Sequence, residues 1–137
     1  MAYKRMNERL ARARRILAVQ TGFCHLEEWK LSALEREEEA LQKRQSDLVQ
    51  FLDQEGAFSG LFAASMLRRL RGIAEARAHL SKEKEAQIGR LLQARRRMRQ
   101  GEHALDTLEG EVRKRLERGQ LSEAIEAALL GQANVGE

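Results

Sequence analysis

Cys24 and the histidines His25, His79 and His103 are the side chains of this chain best suited to nucleophilic or metal chemistry. A thiolate beside an imidazole attacks carbonyls, and Cys/His sets bind zinc. Neighbouring residues point to different faces of a helix, so Cys24 and His25 cannot share a ligand position. The three histidines fall at three separate heights along the chain. Glu35, Glu37, Glu38 and Glu39 are a carboxylate run of the kind that forms a solvated helix face. No phosphate-cradling glycine loop of the Walker or dinucleotide type occurs. The residues therefore predict no catalytic, cofactor-binding or metal site, no cofactor and no enzyme.

The remaining chemistry is that of surfaces. Residues 1–15 carry Lys4, Arg5, Arg9, Arg12, Arg14 and Arg15 against Glu8 alone. Residues 90–99 carry Arg90, Arg95, Arg96, Arg97 and Arg99 with no acid, and Arg113, Lys114, Arg115 and Arg118 follow. Crowded like charges suit an acidic protein surface, nucleic acid or anionic lipid. Nucleic acid is the weaker choice, since only Tyr3 stands near these arginines as a base-stacking ring. A second concentration is apolar. Phe51, Phe58, Leu61, Phe62, Met66 and Leu67 lie close together and include three of the four phenylalanines. They either cap the helix seam or form a docking patch.

The elements that position these residues are helices. The 137 residues suffice for one domain, contain no proline, and are 34% charged and 4% aromatic. Mean hydropathy is −0.58 and the pI about 9.6, with a net charge of +4. Such a composition fits long helices with a narrow apolar seam. Leu10, Leu17, Cys24, Leu31, Glu38, Gln45 and Leu52 recur by seven, as do Ala13, Gln20, Glu27, Leu34, Leu41 and Leu48. Together they form an a/d seam with polar interruptions, which cost stability and fix register. Thr21-Gly22 is a candidate bend or break in it. The second seam reads Met66-Leu67, Leu70, Ile73-Ala74, Leu80, Ile88, Leu91, Met98, Leu105, Leu108, Val112 and Leu116, with a weak patch at Arg77 and Lys84. Gly72, Gly89, Gly101 and Gly110 interrupt it, either on an exposed face or as a source of pliancy.

This layout predicts an all-α fold, a long antiparallel two-helix coiled-coil hairpin with a short C-terminal helix. Its single domain spans residues 1–137, as helix 4–55, turn 56–60, helix 61–118 and a short amphipathic helix 121–130, with Gly119 as the stop between the last two. Centring the turn near Phe58 makes residue x face about residue 116−x, so Leu10 opposes Asp106, Leu17 Arg99, Leu31 Glu85 and Leu48 Arg68. A helix of about 50 residues is about 75 Å long. One cysteine forms no internal disulfide and fits a reducing compartment. With no signal-peptide pattern and no apolar run of spanning length, the expectation is a soluble cytoplasmic protein that does not insert into membranes.

The hairpin length, the absent proline, the segment Leu34-Glu-Arg-Glu-Glu-Glu-Ala-Leu-Gln-Lys-Arg-Gln and the later Leu67-Arg-Arg-Leu-Arg-Gly-Ile resemble the FliJ/YscO family over roughly residues 5–118. These are coiled-coil stalk proteins of flagellar and virulence type III secretion systems. The resemblance implies a cytoplasmic stalk, peripheral to the export apparatus at the inner membrane. Its paired terminal helices engage a hexameric export ATPase, the region near the turn contacts the export gate's cytoplasmic domain, and some members handle export chaperones. It implies gate-contacting residues at Gln45, Leu48, Leu52, Met66, Leu70 and Ile73. The basic end would meet the ATPase through Arg9, Arg12, Arg95, Arg96, Arg97 and Arg99. The alternatives are a generic coiled-coil scaffold that dimerises, and a basic-surface binder of nucleic acid or membrane.

Overall fold

The computed structural model describes the backbone of residues 2–55 and 60–135. Two helices pack against each other as an all-α hairpin: α1 (Ala2–Glu55, 54 residues) and α2 (Gly60–Val135, 76 residues). Among the described residues there is no strand. The expected turn residues 56–59, Phe58 among them, and the side chain of Leu61 lie outside the described residues.

Neither candidate interruption occurs. α1 runs through Thr21-Gly22, where the Thr21 hydroxyl donates to the Leu17 carbonyl one turn back at 2.9 Å. A β-hydroxyl that bonds the preceding turn is compatible with helix. α2 runs through Gly119 to Val135, so the segment 121–130 is the end of α2 and not a separate helix. A glycine stop needs the left-handed conformation, which Gly119 does not adopt. The Ala, Leu and Glu that follow are strong helix formers, and together they offset the roughly 1 kcal/mol that one glycine costs.

The chain divides into two compact units, one of Met1–Thr21 with Arg97–Glu137, the other of Gly22–Arg96. In the first, α1 contributes Met6, Leu10, Ala13, Leu17 and Gln20 to the seam, and α2 contributes Met98, Gly101, Leu105, Leu108 and Val112; Met6 and Leu10 are buried. Gly101 leaves room for the Gln20 side-chain carbonyl, which would have to shift if a Cβ were added there.

In the second unit the seam runs from Cys24 to Leu52 on α1 at the heptad positions expected, each buried or half-buried. On α2 it is Ala63, Met66, Leu70, Ile73, Arg77, Leu80, Lys84, Gln87, Leu91 and Ala94. The strict three–four rhythm therefore selects Gln87, which is 2% exposed, over its apolar neighbour Ile88, which is 39% exposed. Leu67 and Ala74, and in the first unit Leu116, likewise fall outside the seam. Periodicity wins because one residue of slip turns a side chain by about 100° away from the partner helix.

Polar seam residues meet one another across the second unit. Lys84 Nζ lies 3.2 Å from Glu38 Oε2, and Arg77 donates to the Gln45 side-chain carbonyl. Gln87 Nε2 donates to the Glu27 main-chain carbonyl at 3.0 Å and also to the Glu27 carboxylate. The Gln87 side-chain carbonyl accepts from Arg90 at 2.9 Å. Both ends of this buried amide are satisfied, which is the condition for burying it cheaply. The Glu38–Lys84 and Gln45–Arg77 pairs correct the expected register by about six residues. At the expected register Glu38 faces Ala78 and Leu31 faces the exposed Glu85. The observed register sets Glu38 on Lys84 and Gln45 on Arg77. Pairing seam with seam outweighs symmetry about Phe58.

Candidate functional site

The residues with intrinsic reactivity stay dispersed. Cys24 is buried in the seam, its Sγ 3.9 Å from Glu28 Oε1. His25, His79 and His103 are exposed, and His79 sits 3.1 Å from Glu83 on the next turn. Among the described residues no group of three or more His, Cys, Asp or Glu side chains is placed to hold a metal ion. No described helix is long and apolar enough to cross a membrane.

The six arginines assigned to ATPase binding divide between the units. Arg9, Arg12, Arg97 and Arg99 belong to the first, and all four are exposed. Arg95 and Arg96 belong to the second. Arg95 lies 3.5 Å from Glu28 across the helix pair, so its charge is already partnered. Among the described residues no ion pair engages Arg9, Arg12, Arg96, Arg97 or Arg99. Their neighbour Arg14 lies 3.7 Å from Glu109 with most of its side chain in water, a pair worth at most about 1 kcal/mol.

The six residues assigned to gate binding are seam residues. Met66 is buried, and Gln45, Leu48, Leu52, Leu70 and Ile73 are half-buried. They mostly hold α1 against α2, and Gln45 is engaged by Arg77. Leu48 and Ile73 are reachable from outside, because they line an open groove of about 560 Å³ with Leu41, Arg44, Arg69 and Ala76. Of the apolar cluster near the turn, Phe51, Phe62 and Leu67 remain partly in water, while Met66 enters the seam.

The largest apolar exposures lie elsewhere. In the second unit, α1 presents Phe23 (58% exposed), Leu26 and Trp29 (66%). One heptad later the same face carries Lys30 and Ala33, which with Trp29, Leu34, Glu83, Gln87 and Arg90 line a groove of about 380 Å³. Ile16 and Val19 show the same spacing one heptad earlier and are also exposed. The signal was present in the sequence as a second three–four repeat alongside the first, and the stronger leucine heptad masked it. In the first unit, Leu121, Ile125, Leu129 and Leu130 of α2 are all more than half exposed.

These surfaces define a helical-hairpin protein whose exposed features are free arginines, open grooves and apolar stripes, all suited to macromolecular contact. Comparison with protein-family models, with curated proteins and with solved structures returned no match.

Proposed function

We propose that this chain is a stalk or adaptor of a type III secretion export apparatus, acting in the cytoplasm at the inner membrane, as its resemblance to the FliJ/YscO family implies. It engages a hexameric export ATPase and the export gate through protein–protein contacts. The observation that supports this reading best is the set of exposed arginines on both helices of the first unit, Arg9 and Arg12 on α1 and Arg97 and Arg99 on α2. Uncompensated guanidinium groups on a paired-helix surface steer and orient an acidic partner. For the gate, the accessible members of the assigned set are Leu48 and Ile73 in their groove.

The test is the turnover rate of a type III export ATPase titrated with this protein at moderate salt. Stimulation saturating near one chain per hexamer is expected. Arg9→Glu combined with Arg97→Glu should abolish it while helicity stays at the wild-type level. Full stimulation by that variant, or no stimulation by the wild type, overturns the reading. The apolar side chains exposed on α1 favour a second reading, a scaffold that associates with other helices.

A further inference from the structure

The chain carries two apolar helix faces that nothing among the described residues covers. The first is on the second unit, where Phe23, Leu26 and Trp29 lead into the groove of Lys30, Ala33, Leu34, Glu83, Gln87 and Arg90. The second is the end of α2. Residues 113–133 are exposed throughout, and Leu121, Ala124, Ile125, Ala128 and Leu129 repeat at the spacing of one helix face. A stripe of this kind is what a helix shows when it packs on another helix.

The two faces are complementary. Beyond Arg118 the α2 end holds Glu123 and Glu126 and no lysine or arginine. The groove holds Lys30 and Arg90 at its wall; Lys30 is beside Glu27 and the one lining acid, Glu83, is beside His79, so among the described residues Arg90 is the cation left without an acidic partner. Leu121 to Leu129 spans about 12 Å of helix, and Phe23 to Ala33 about 15 Å. α2 is one uninterrupted helix from Gly60 to Val135. We propose that the α2 end of one copy docks in the Phe23–Trp29 groove of a second copy, and that the second copy reciprocates. An exchange of this kind is self-complementary and closes as a dimer, with each contact made twice. It differs from a dimer made by opening the hairpin, because both helix pairs stay intact. It also stands apart from the ATPase reading, since it uses none of the arginines assigned there.

The experiment is sedimentation of the full chain from about 5 to about 200 µM, the range in which a contact of micromolar Kd passes from monomer to dimer. Trp29, the only tryptophan, reports on the groove itself. The expected result is a concentration-dependent dimer, with Trp29 emission shifting to shorter wavelength as the mass rises. Phe23→Glu and Ile125→Glu change exposed positions, so both variants should keep wild-type helicity and each should stay monomeric. Mixing them should restore a one-to-one complex, because the intact groove of one accepts the intact α2 end of the other. A wild type monomeric over the whole range overturns the proposal, as does a dimer that survives both substitutions. Concentration-independent shielding of Trp29 in a monomer overturns it too, in favour of docking within one chain. ATPase stimulation is read separately on the Arg9 and Arg97 variants, so failure of one inference leaves the other to its own test.

Discussion

The two units are built from the same helices and the same heptad rhythm, yet they hold their helices together differently. The unit of Gly22–Arg96 buries Cys24, Met66, Leu80 and Leu91 and threads polar pairs through the seam between them. Among the described residues, the unit of Met1–Thr21 with Arg97–Glu137 buries Met6 and Leu10 alone, is joined by one exposed ion pair, and includes an α2 stretch, 113–133, that is exposed throughout. A narrow seam supplies little apolar energy per turn. Adding matched polar layers gives register, whereas leaving them out gives accessible surface. The second unit is thus the one whose helix register is fixed by matched polar pairs.

The widest separation should come from core truncation. Leu80→Ala is expected to destabilise the chain by about 2–4 kcal/mol, since it removes a buried side chain and leaves a cavity. Leu129→Ala, at an exposed position, should stay within about 0.5 kcal/mol. Urea unfolding of the two variants checks this, and equal losses would erase the distinction between the units. Next in size is Gln87→Ala. It strips the Glu27 carbonyl and carboxylate and the Arg90 guanidinium of their shared partner, at about 1–3 kcal/mol. Gln20 offers the contrast in the first unit, because its side-chain carbonyl is buried with no hydrogen-bond partner. Gln20→Leu should therefore cost less than Gln87→Ala. If thermal melts rank them the other way, the polar layer does not hold the second unit.

Smaller gains and losses sharpen the comparison. A Cβ at Gly72 or Gly89 meets nothing within 4 Å, so Gly72→Ala and Gly89→Ala should each stabilise by about 0.5–1 kcal/mol through helix propensity alone. A loss at either site would show that glycine there permits a contact. Smallest is Arg14→Ala, expected to cost no more than about 0.5 kcal/mol and to cost nothing at high salt, as an exposed pair should. Amide exchange gives the same ordering without mutation. In unliganded monomer the amides of 120–133 should exchange near the rate of open helix, and those around Leu80 and Leu91 should be the slowest in the chain.

Much of this was legible in the residues. The α1 seam from Leu10 to Leu52 is occupied position for position, because helical periodicity is a local property of a chain without proline. The α2 seam is less legible, since Ile88 is more apolar than Gln87 and hydrophobicity alone prefers it. By residue type alone, Gly119 reads as a stop. Yet a lone glycine among good helix formers does not end a helix without a left-handed φ. The candidate arginines were visible by type, but that Arg95 is spent on Glu28 was not. Phe23, Leu26 and Trp29 also recur at helical spacing, but the longer leucine repeat beside them is the stronger pattern in the sequence.

What the sequence by itself determined is everything that depends on neighbours three and four residues away: two long helices, an a/d face on each, and where charge and apolar surface accumulate. The tertiary structure alone decided the pairing of Glu38 with Lys84 and Gln45 with Arg77, the burial of Gln87, and which apolar stripe stays in water. Register is a sum of contacts between residues far apart in the chain, and a shift of a few residues leaves every local preference unchanged. Only the packed helices, with their polar layers matched, remove that freedom.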